Sequence, residues 1–499
     1  MDGTLNRLVT GQVRSALVAK WRRYCLEKGI VVSDDDAGII SLDRVNSITG
    51  QAFLQFLIDE DKHYVDTLSS SVKAAGPNLL VIGTQMNFGS LANFKSLSGT
   101  DVLDAHFYVD QYRFPNGMWR WDDWQITDRS NIGTGLVPLF GVAFYRSFSK
   151  PFLITEFNQP WPNRQAAEIL PETAAFASMQ DWSGLTFHDY SQSRETYTST
   201  TPQEFGLVGD ATKLVQFGQA AWMFRTGAIS RLEPVSSYTF GDAVVLDATR
   251  ARITDGLASF LEQHTLAGAS RPLSARVGYS ASAASSVTLT SVAPTLSTPE
   301  ARFDLKERQL VVSAPMVKGV TGYLVPGRKY DYGTFQLRLG AAARGFVSLT
   351  LSSRDGRAID QSRSLLLTLP GYTVGSTLTS TGPVPLDVSS VPVPLKDSIV
   401  HPLEATSQRW SAIDPATRQV VSLRATQAPI WMERIPCTFT FVTRAKSLRV
   451  FPLDASGKRM ASIASRFVRK TGDGFEIGLQ TDQRALSAWF ELEATYDSK

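Results

Sequence analysis

A chain of 499 residues that is 43% hydrophobic carries apolar material for roughly two to four domains of ordinary size. Only 19% of residues are charged and the net charge is +3, which lacks the basic excess of a nucleic-acid-binding protein. No apolar run reaches the ~18 residues that span a bilayer, and the opening MDGTLNRLVTGQ has neither the basic start nor the apolar core of a signal peptide.

The expectation is a soluble protein of open compartment, with no membrane or nucleic-acid partner. Cys25 and Cys437 are the only cysteines, too few for a disulfide framework or a thiolate metal site. His63, His264 and His401 have no ligand spacing, and Asp34, Asp35 and Asp36 read as a solvated loop, so neither a metal nor a cofactor is expected.

Taken in chain order, residues 1–76 read as helix. QVRSALVAKWRRYCLEKG stops at Gly29. AFLQFLIDEDKHYVDTLSSSVKAAG then repeats Phe53, Phe56, Leu57, Tyr64 and Leu68 at three- and four-residue steps until Gly76-Pro77 ends it. Four short apolar runs come next, each closing on polar residues: NLLVIGTQMNFG, DVLDAHFYVDQ, PFLITEFNQ and GLTFHDYS. Runs that are apolar on both faces suit strands of a buried parallel sheet. Helix-compatible segments at 165–182 and 210–227 lie between or after them, so the pattern is one of βα units.

Past about residue 232 serine, threonine, valine and alanine take over. Alternating runs appear around the turn pairs Asp355-Gly356 and Ser456-Gly457, and residues 300–499 read as an antiparallel β-sandwich. Residues 251–264 read as a helix in a bridging segment, and 276–298 as loop and edge strand. Residues 369–394, rich in Gly, Pro, Ser and Thr, read as a loop. The expected organisation is 1–230, 231–299 and 300–499, the last with a break near 370–395.

In a parallel α/β barrel the reactive side chains sit where strands meet the loops after them. The four runs deliver Gln85 and Asn87, then His106, Tyr108 and Asp110, then Glu156 and Asn158, then His188, Asp189 and Tyr190. Five of the ten tryptophans, namely Trp119, Trp121, Trp124, Trp161 and Trp182, fall in the intervening loops. Indole faces beside Asn, Gln, His and Tyr suit sugar rings, whose C–H faces stack and whose hydroxyls hydrogen-bond. The plainer readings are a solvated Glu156 at a strand end, hydrogen-bonded structural histidines, and tryptophans that merely cap the barrel.

The order DVLDAHFY, PFLITEFNQPW, DWSGLTFHDYS and GDATKLVQFGQAAWMFRTG resembles strands five to eight of a clan-A glycoside hydrolase barrel. The resemblance covers residues 1–230 and, loosely, the C-terminal part. It implies an α/β plus all-β fold, half a (β/α)8 barrel followed by antiparallel β-sandwich structure. It also implies that Glu156 is the nucleophile of a retaining β-glycosidase, supported by His106 and Tyr108. Gln85, Asn87, Trp119, Trp121, Asn158, Trp161, His188 and Tyr190 would then bind the carbohydrate.

The chain departs from the family in one respect. The Asn-Glu pair that ends the fourth strand and carries the acid/base is missing, and MDGTLNRLV resembles the segment directly after that pair. Retaining hydrolysis needs two carboxyls about 5 Å apart. Asp110, Asp122, Asp123 and Asp189 are the local substitutes, none placed by a family motif. The expected activity is therefore weak or restricted to activated substrates. Half a barrel leaves two strand edges and an apolar interior open, so a homodimer through the half-barrel faces is expected. The alternatives are an inactive carbohydrate-binding or assembly protein and a promiscuous aryl ester or glycoside hydrolase.

Overall fold

The computed structural model describes residues 10–33, 47–112, 114, 118, 126, 128–200, 202, 204–250, 257, 260, 271–280, 288–291, 297–374, 376–385, 403–404, 409–413, 420–423, 429–481 and 486–497. The readings made for Asp34 to Asp36, Trp119, Trp121, Asp122, Asp123, Trp124, His264 and His401 lie outside the described residues, as does nearly all of the helix expected over 251–264.

Two helices open the chain. Helix α1, Gly11–Lys28, ends at Gly29, whose φ of 65° lets the next amide return to Cys25 O at 2.8 Å. That left-handed turn closes off the last carbonyls, a role glycine fills without a Cβ clash. Helix α2, Ile48–Ala75, starts at Ser47, which accepts from Gly50 N at 2.9 Å. The two helices pack through Trp21, Cys25, Phe53 and Phe56, with the Trp21 and Phe53 rings edge to face at 5.1 Å.

Three parallel strands succeed them: β1 (Leu103–Tyr108), β2 (Phe152–Asn158) and β3 (Gly184–Leu185), in the order β1-β2-β3. A single parallel bridge, Ile82 to Val102, adds the first apolar run beside β1. The four runs thus lie side by side in chain order, but the outer two are weakly paired. The run at 79–82 is also not buried as its apolar composition suggests: Leu79, Leu80 and Ile82 are exposed.

Helices α3 (Val137–Ala143), α4 (Ile169–Gln180) and α5 (Ala211–Arg225) connect or succeed the strands. The last two match the helical segments read at 165–182 and 210–227. On the sheet's helix-covered face Phe107 stacks on Phe157 with centroids 5.7 Å apart, and Phe157 meets Phe187 edge to face. Among the described residues no closed barrel forms, and no helix is long and apolar enough to cross a membrane.

The strand pattern after residue 232 is antiparallel for the most part. A small sheet joins Val235–Thr239 to Arg276–Tyr279 and Thr288–Ser291. A seven-stranded antiparallel sheet runs from Ser447–Pro452 at one edge to Ala301–Asp304 at the other. A five-stranded antiparallel sheet shares its core, with Val320, Leu349 and Leu367 of the first packed in one cluster with Leu337, Phe439 and Ile477 of the second. The segment read as a loop from 369 to 394 contains short strands as far as Pro385; the rest of it lies outside the described residues.

Helix α5 ties the two regions together through polar groups. Gln219 donates to Ser352 Oγ at 2.8 Å and accepts from Thr368 Oγ1 at 2.6 Å, and Ser348 donates to Gln216 at 2.9 Å. All five side chains are buried. A polar interface of this kind holds only one register, because any slip leaves buried amides unpaired at about 1–3 kcal/mol each.

Candidate active site

Strand β1 alternates. Leu103, Ala105 and Phe107 face the helices and are buried, whereas His106 and Tyr108 are half-buried on the other face. Strand β2 alternates too, until a bulge: Ala105 pairs with Ile154, but His106 pairs with Glu156, which leaves Thr155 as an extra residue. Side chains point to opposite faces at successive positions, so one inserted residue reverses all those after it. In an unbroken alternation Glu156 would share a face with Ile154. The bulge instead keeps Glu156 on the side of Thr155, toward His106, as bulges beside functional sites commonly do.

Glu156 is gripped on one oxygen. Tyr108 donates its hydroxyl proton to Glu156 Oε2 at 2.6 Å, and His106 Nδ1 lies 3.1 Å from the same atom. The other oxygen, Oε1, is 3.9 Å from His188 Nδ1, beyond hydrogen-bond reach. His106 Nε2 meets Thr155 Oγ1 at 2.9 Å, and Thr155 Oγ1 is in turn hydrogen-bonded with Asp104 Oδ2. Tyr108, His188 and Phe205 form an edge-to-face cluster, with centroids 5.5 to 6.0 Å apart, which fixes the Tyr108 and His188 rings.

Burial sets the electrostatics. It depresses the His106 imidazolium, against the opposing pull of Glu156 and Asp104. It raises Tyr108, which is raised further by its bond to Glu156. Burial also raises the Asp104 and Asp189 carboxyls. Among the described residues no cluster of three His, Cys, Asp or Glu side chains could hold a metal ion.

His106, Tyr108, Glu156, His188 and Phe205 line a cleft of about 770 Å³. Six of the residues expected to bind or react, Gln85, Asn87, His106, Tyr108, Glu156 and His188, all lie on its wall. Asn87 does so as a strut: its side-chain amide donates to His106 O and accepts from His106 N, both at 3.0 Å. Phe88, Val137, Pro138 and Tyr145 supply apolar wall, and Gln111 and Gln192 polar wall.

Three expected residues sit elsewhere. Asn158 is fully buried, donates to Phe205 O at 2.6 Å, and accepts from the buried Lys213 ammonium at 3.0 Å. Trp161 is buried with its indole N–H on Thr373 O at 3.2 Å. Tyr190 is exposed beside Tyr197. Of the proposed substitute acids, Asp110 is engaged by Arg129 N at 3.1 Å and Asn163 Nδ2 at 2.9 Å.

The residues not anticipated are Asp104 and Thr155. Asp104 stands two positions before His106 and so on its face, a spacing visible in DVLDAHFY. Thr155 faces the His106 side by ordinary alternation after Ile154, and the bulge, which no sequence period announces, is what keeps Glu156 on the same side.

No protein-family model and no curated protein sequence matches the chain. Its weak structural neighbours are glycoside hydrolases. One is BuGH86 in complex with neoagarooctaose, at 10% identity and TM-score 0.21, covering 88% of this chain and 65% of that one. Another is BpGH86A, a beta-porphyranase of glycoside hydrolase family 86 from the human gut bacterium Bacteroides plebeius, at 10% identity and TM-score 0.20, covering 91% of this chain and 74% of that one. Likeness this loose assigns neither fold nor activity, and the chain spans 65% of the length of the first of them.

Proposed function

We propose that the cleft belongs to a retaining β-glycoside hydrolase in which Glu156 is the nucleophile. One observation carries the reading: Tyr108 and His106 hold one carboxylate oxygen while the other is left without a close partner in a cleft lined by Gln, Asn and aromatic groups. A carboxylate with one oxygen anchored and one unanchored can attack an anomeric carbon without reorganising its donors. The half-buried Gln85 and the exposed Gln111 and Gln192 amides suit sugar hydroxyls, and Phe88 and Tyr145 suit sugar C–H faces.

Among the described residues lining the cleft Glu156 is the one carboxylate, so none of those residues offers a second acid to protonate a poor leaving group. Activity should accordingly favour aryl glycosides with activated leaving groups. The same observation favours the second reading, a carbohydrate-binding protein without turnover. An aryl glycoside panel separates the two: turnover that disappears in Glu156→Gln supports the enzyme, and saturable sugar binding without turnover supports the binding protein.

The sheet formed by Ile82, β1, β2 and β3 is read as half a (β/α)8 barrel. Leu79, Leu80 and Ile82 are exposed at one edge. At the other, Leu185, Phe187, Phe217 and Phe224 line an apolar cavity of about 280 Å³. A second copy related by a two-fold axis would set each edge against the other and complete the ring. Light scattering across a concentration series tests this: a dimer that Leu80→Glu dissociates supports it, and a concentration-independent monomer removes it.

A further inference from the structure

The contacts behind Glu156 set a count of protons. Four successive pairs of heavy atoms are close enough to need one proton each: Asp104 Oδ2 with Thr155 Oγ1, Thr155 Oγ1 with His106 Nε2, His106 Nδ1 with Glu156 Oε2, and Tyr108 Oη with Glu156 Oε2. Tyr108 brings one proton, Thr155 one and a neutral imidazole one. With both carboxylates ionised that is three protons for four contacts, and somewhere along the line two lone pairs would face each other. Buried polar atoms do not hold such a geometry without a proton between them.

We propose that Asp104, Thr155 and His106 form a proton relay that holds the one additional proton and exchanges it with Glu156. The relay has two polarities. In the first, Asp104 is a carboxylic acid donating to Thr155, Thr155 donates to His106 Nε2, and His106 Nδ1–H donates to an ionised Glu156. In the second every hydrogen bond is reversed: Glu156 is the acid donating to His106 Nδ1, His106 Nε2–H donates to Thr155, and Thr155 donates to an ionised Asp104. Passing from one to the other breaks one O–H or N–H bond and forms one at each step. The negative charge moves from Glu156 to Asp104, and no external donor is required.

The surroundings favour the first polarity at rest. Asp104 is only 4% exposed and its Oδ1 has no hydrogen-bond partner, so an ionised Asp104 would be a poorly solvated buried charge. Glu156 keeps a third of its side chain in the cleft. Burial works in the same direction on Asp104, and it disfavours the alternative of an imidazolium between two carboxylates. The charged or titratable groups facing His106 are Asp104 and Glu156, with His188 and Tyr108 beyond them. The bulge at Thr155 is what closes the line, since it sets one hydroxyl between Asp104 and His106 while leaving Glu156 beside the ring.

The relay rests on the reading of Glu156 as the reacting group, and gives it something the cleft otherwise lacks. The first polarity keeps Glu156 ionised, as attack on an anomeric carbon requires, and the stored proton can reach its carboxylate once the glycosyl ester has been cleaved. Asp104 touches no substrate in this scheme; it is a positioning residue and proton store.

Histidine-selective 15N labelling tests it, with five histidines in the chain and the His106 signal assigned by its loss in His106→Gln. The wild-type protein is expected to show the Nδ1–H tautomer at neutral pH and to switch to Nε2–H as the pH rises and the additional proton leaves. Asp104→Asn, whose amide donates permanently to Thr155, should hold Nδ1–H throughout. Thr155→Val should uncouple the ring from position 104, while Thr155→Ser restores the switch. An Nε2–H tautomer at every pH in the wild type, or the same titration in Asp104→Asn, overturns the relay. Aryl glycoside turnover on the same samples is read separately. The tautomer switch without turnover keeps the relay and removes the glycosidase reading; turnover without the switch does the reverse.

Discussion

Two pairs of carboxyl groups, each held in a hydrogen-bonding network, meet different fates. Asp104 and Glu156 sit on the open face of the sheet. Glu168 and Glu172 sit one helical turn apart at the start of α4, and both are completely buried. Glu168 is surrounded by donors: Asn131 N at 2.6 Å, Ser130 Oγ at 2.7 Å and Gln159 Nε2 at 2.9 Å. Burial still pushes its carboxyl up to about 7. Glu172 has one donor, Asn131 Nδ2 at 2.7 Å, and burial together with Glu168 raises it well above the ordinary carboxylate range.

The difference shows what separates a structural acid from a reactive one. Glu168 has donors on both oxygens and no path to solvent. Glu156 has donors on one oxygen only, with the other exposed to the cleft. The first arrangement fixes a loop; the second leaves a lone pair where a substrate can arrive.

The largest effect should come from Glu156→Gln, expected to lower aryl glycoside turnover by on the order of 10⁴-fold or more, measured as kcat/KM. A loss below about tenfold would put the cleft carboxylate on a par with the buried ones. Tyr108→Phe comes next. Removing a hydrogen bond to a charged group costs about 1.5–3 kcal/mol, so kcat should fall about 10- to 150-fold, provided Tyr108 steadies Glu156 in the transition state.

Glu168→Gln should act on stability instead of turnover. The amide presents an N–H where the carboxylate accepted, and one unmet buried donor lowers stability by about 1–3 kcal/mol, read by chemical denaturation.

The same particulars show how much of the molecule is legible in its sequence. The runs at 103–108 and 152–158 carry β-branched, aromatic and apolar residues, and their strand character and parallel order can be read directly. Gln85, His106, Tyr108, Glu156 and His188 fall in one cleft by the rule that strand ends carry chemistry. Asn158 and Trp161 obey the same rule in sequence, yet both are buried, because a loop from 204 and a strand near 373 cover them. That Thr155 and Glu156 share a face is hidden by a bulge, which shifts the register without changing composition. The buried Glu168 and Glu172 look like ordinary surface positions of an amphipathic helix, since burial on every side of α4 is a tertiary fact. The run at 79–82 misleads in the opposite sense, being apolar and yet exposed.

The smallest effect expected is a change in pH dependence. Below the ordinary carboxylate value of 4.5 Glu172 is protonated whether the chain is folded or not. Above it the unfolded chain ionises while the folded one keeps its proton, so stability falls as pH rises; Glu168 adds to the fall up to about 7. Glu172→Gln removes that contribution. Its Tm should exceed the wild type's by a few degrees at about pH 8 and match it near pH 4, and equal values at both pH would show that Glu172 ionises freely.

Covalent trapping bears most directly on the central claim. Incubation with 2-deoxy-2-fluoro glycosides bearing a good leaving group, with peptide mass spectrometry afterwards, should find the sugar attached to the peptide 151–163 at Glu156, with no adduct in Glu156→Gln. An adduct on another residue, or turnover of aryl glycosides with Glu156 unlabelled, would contradict the account.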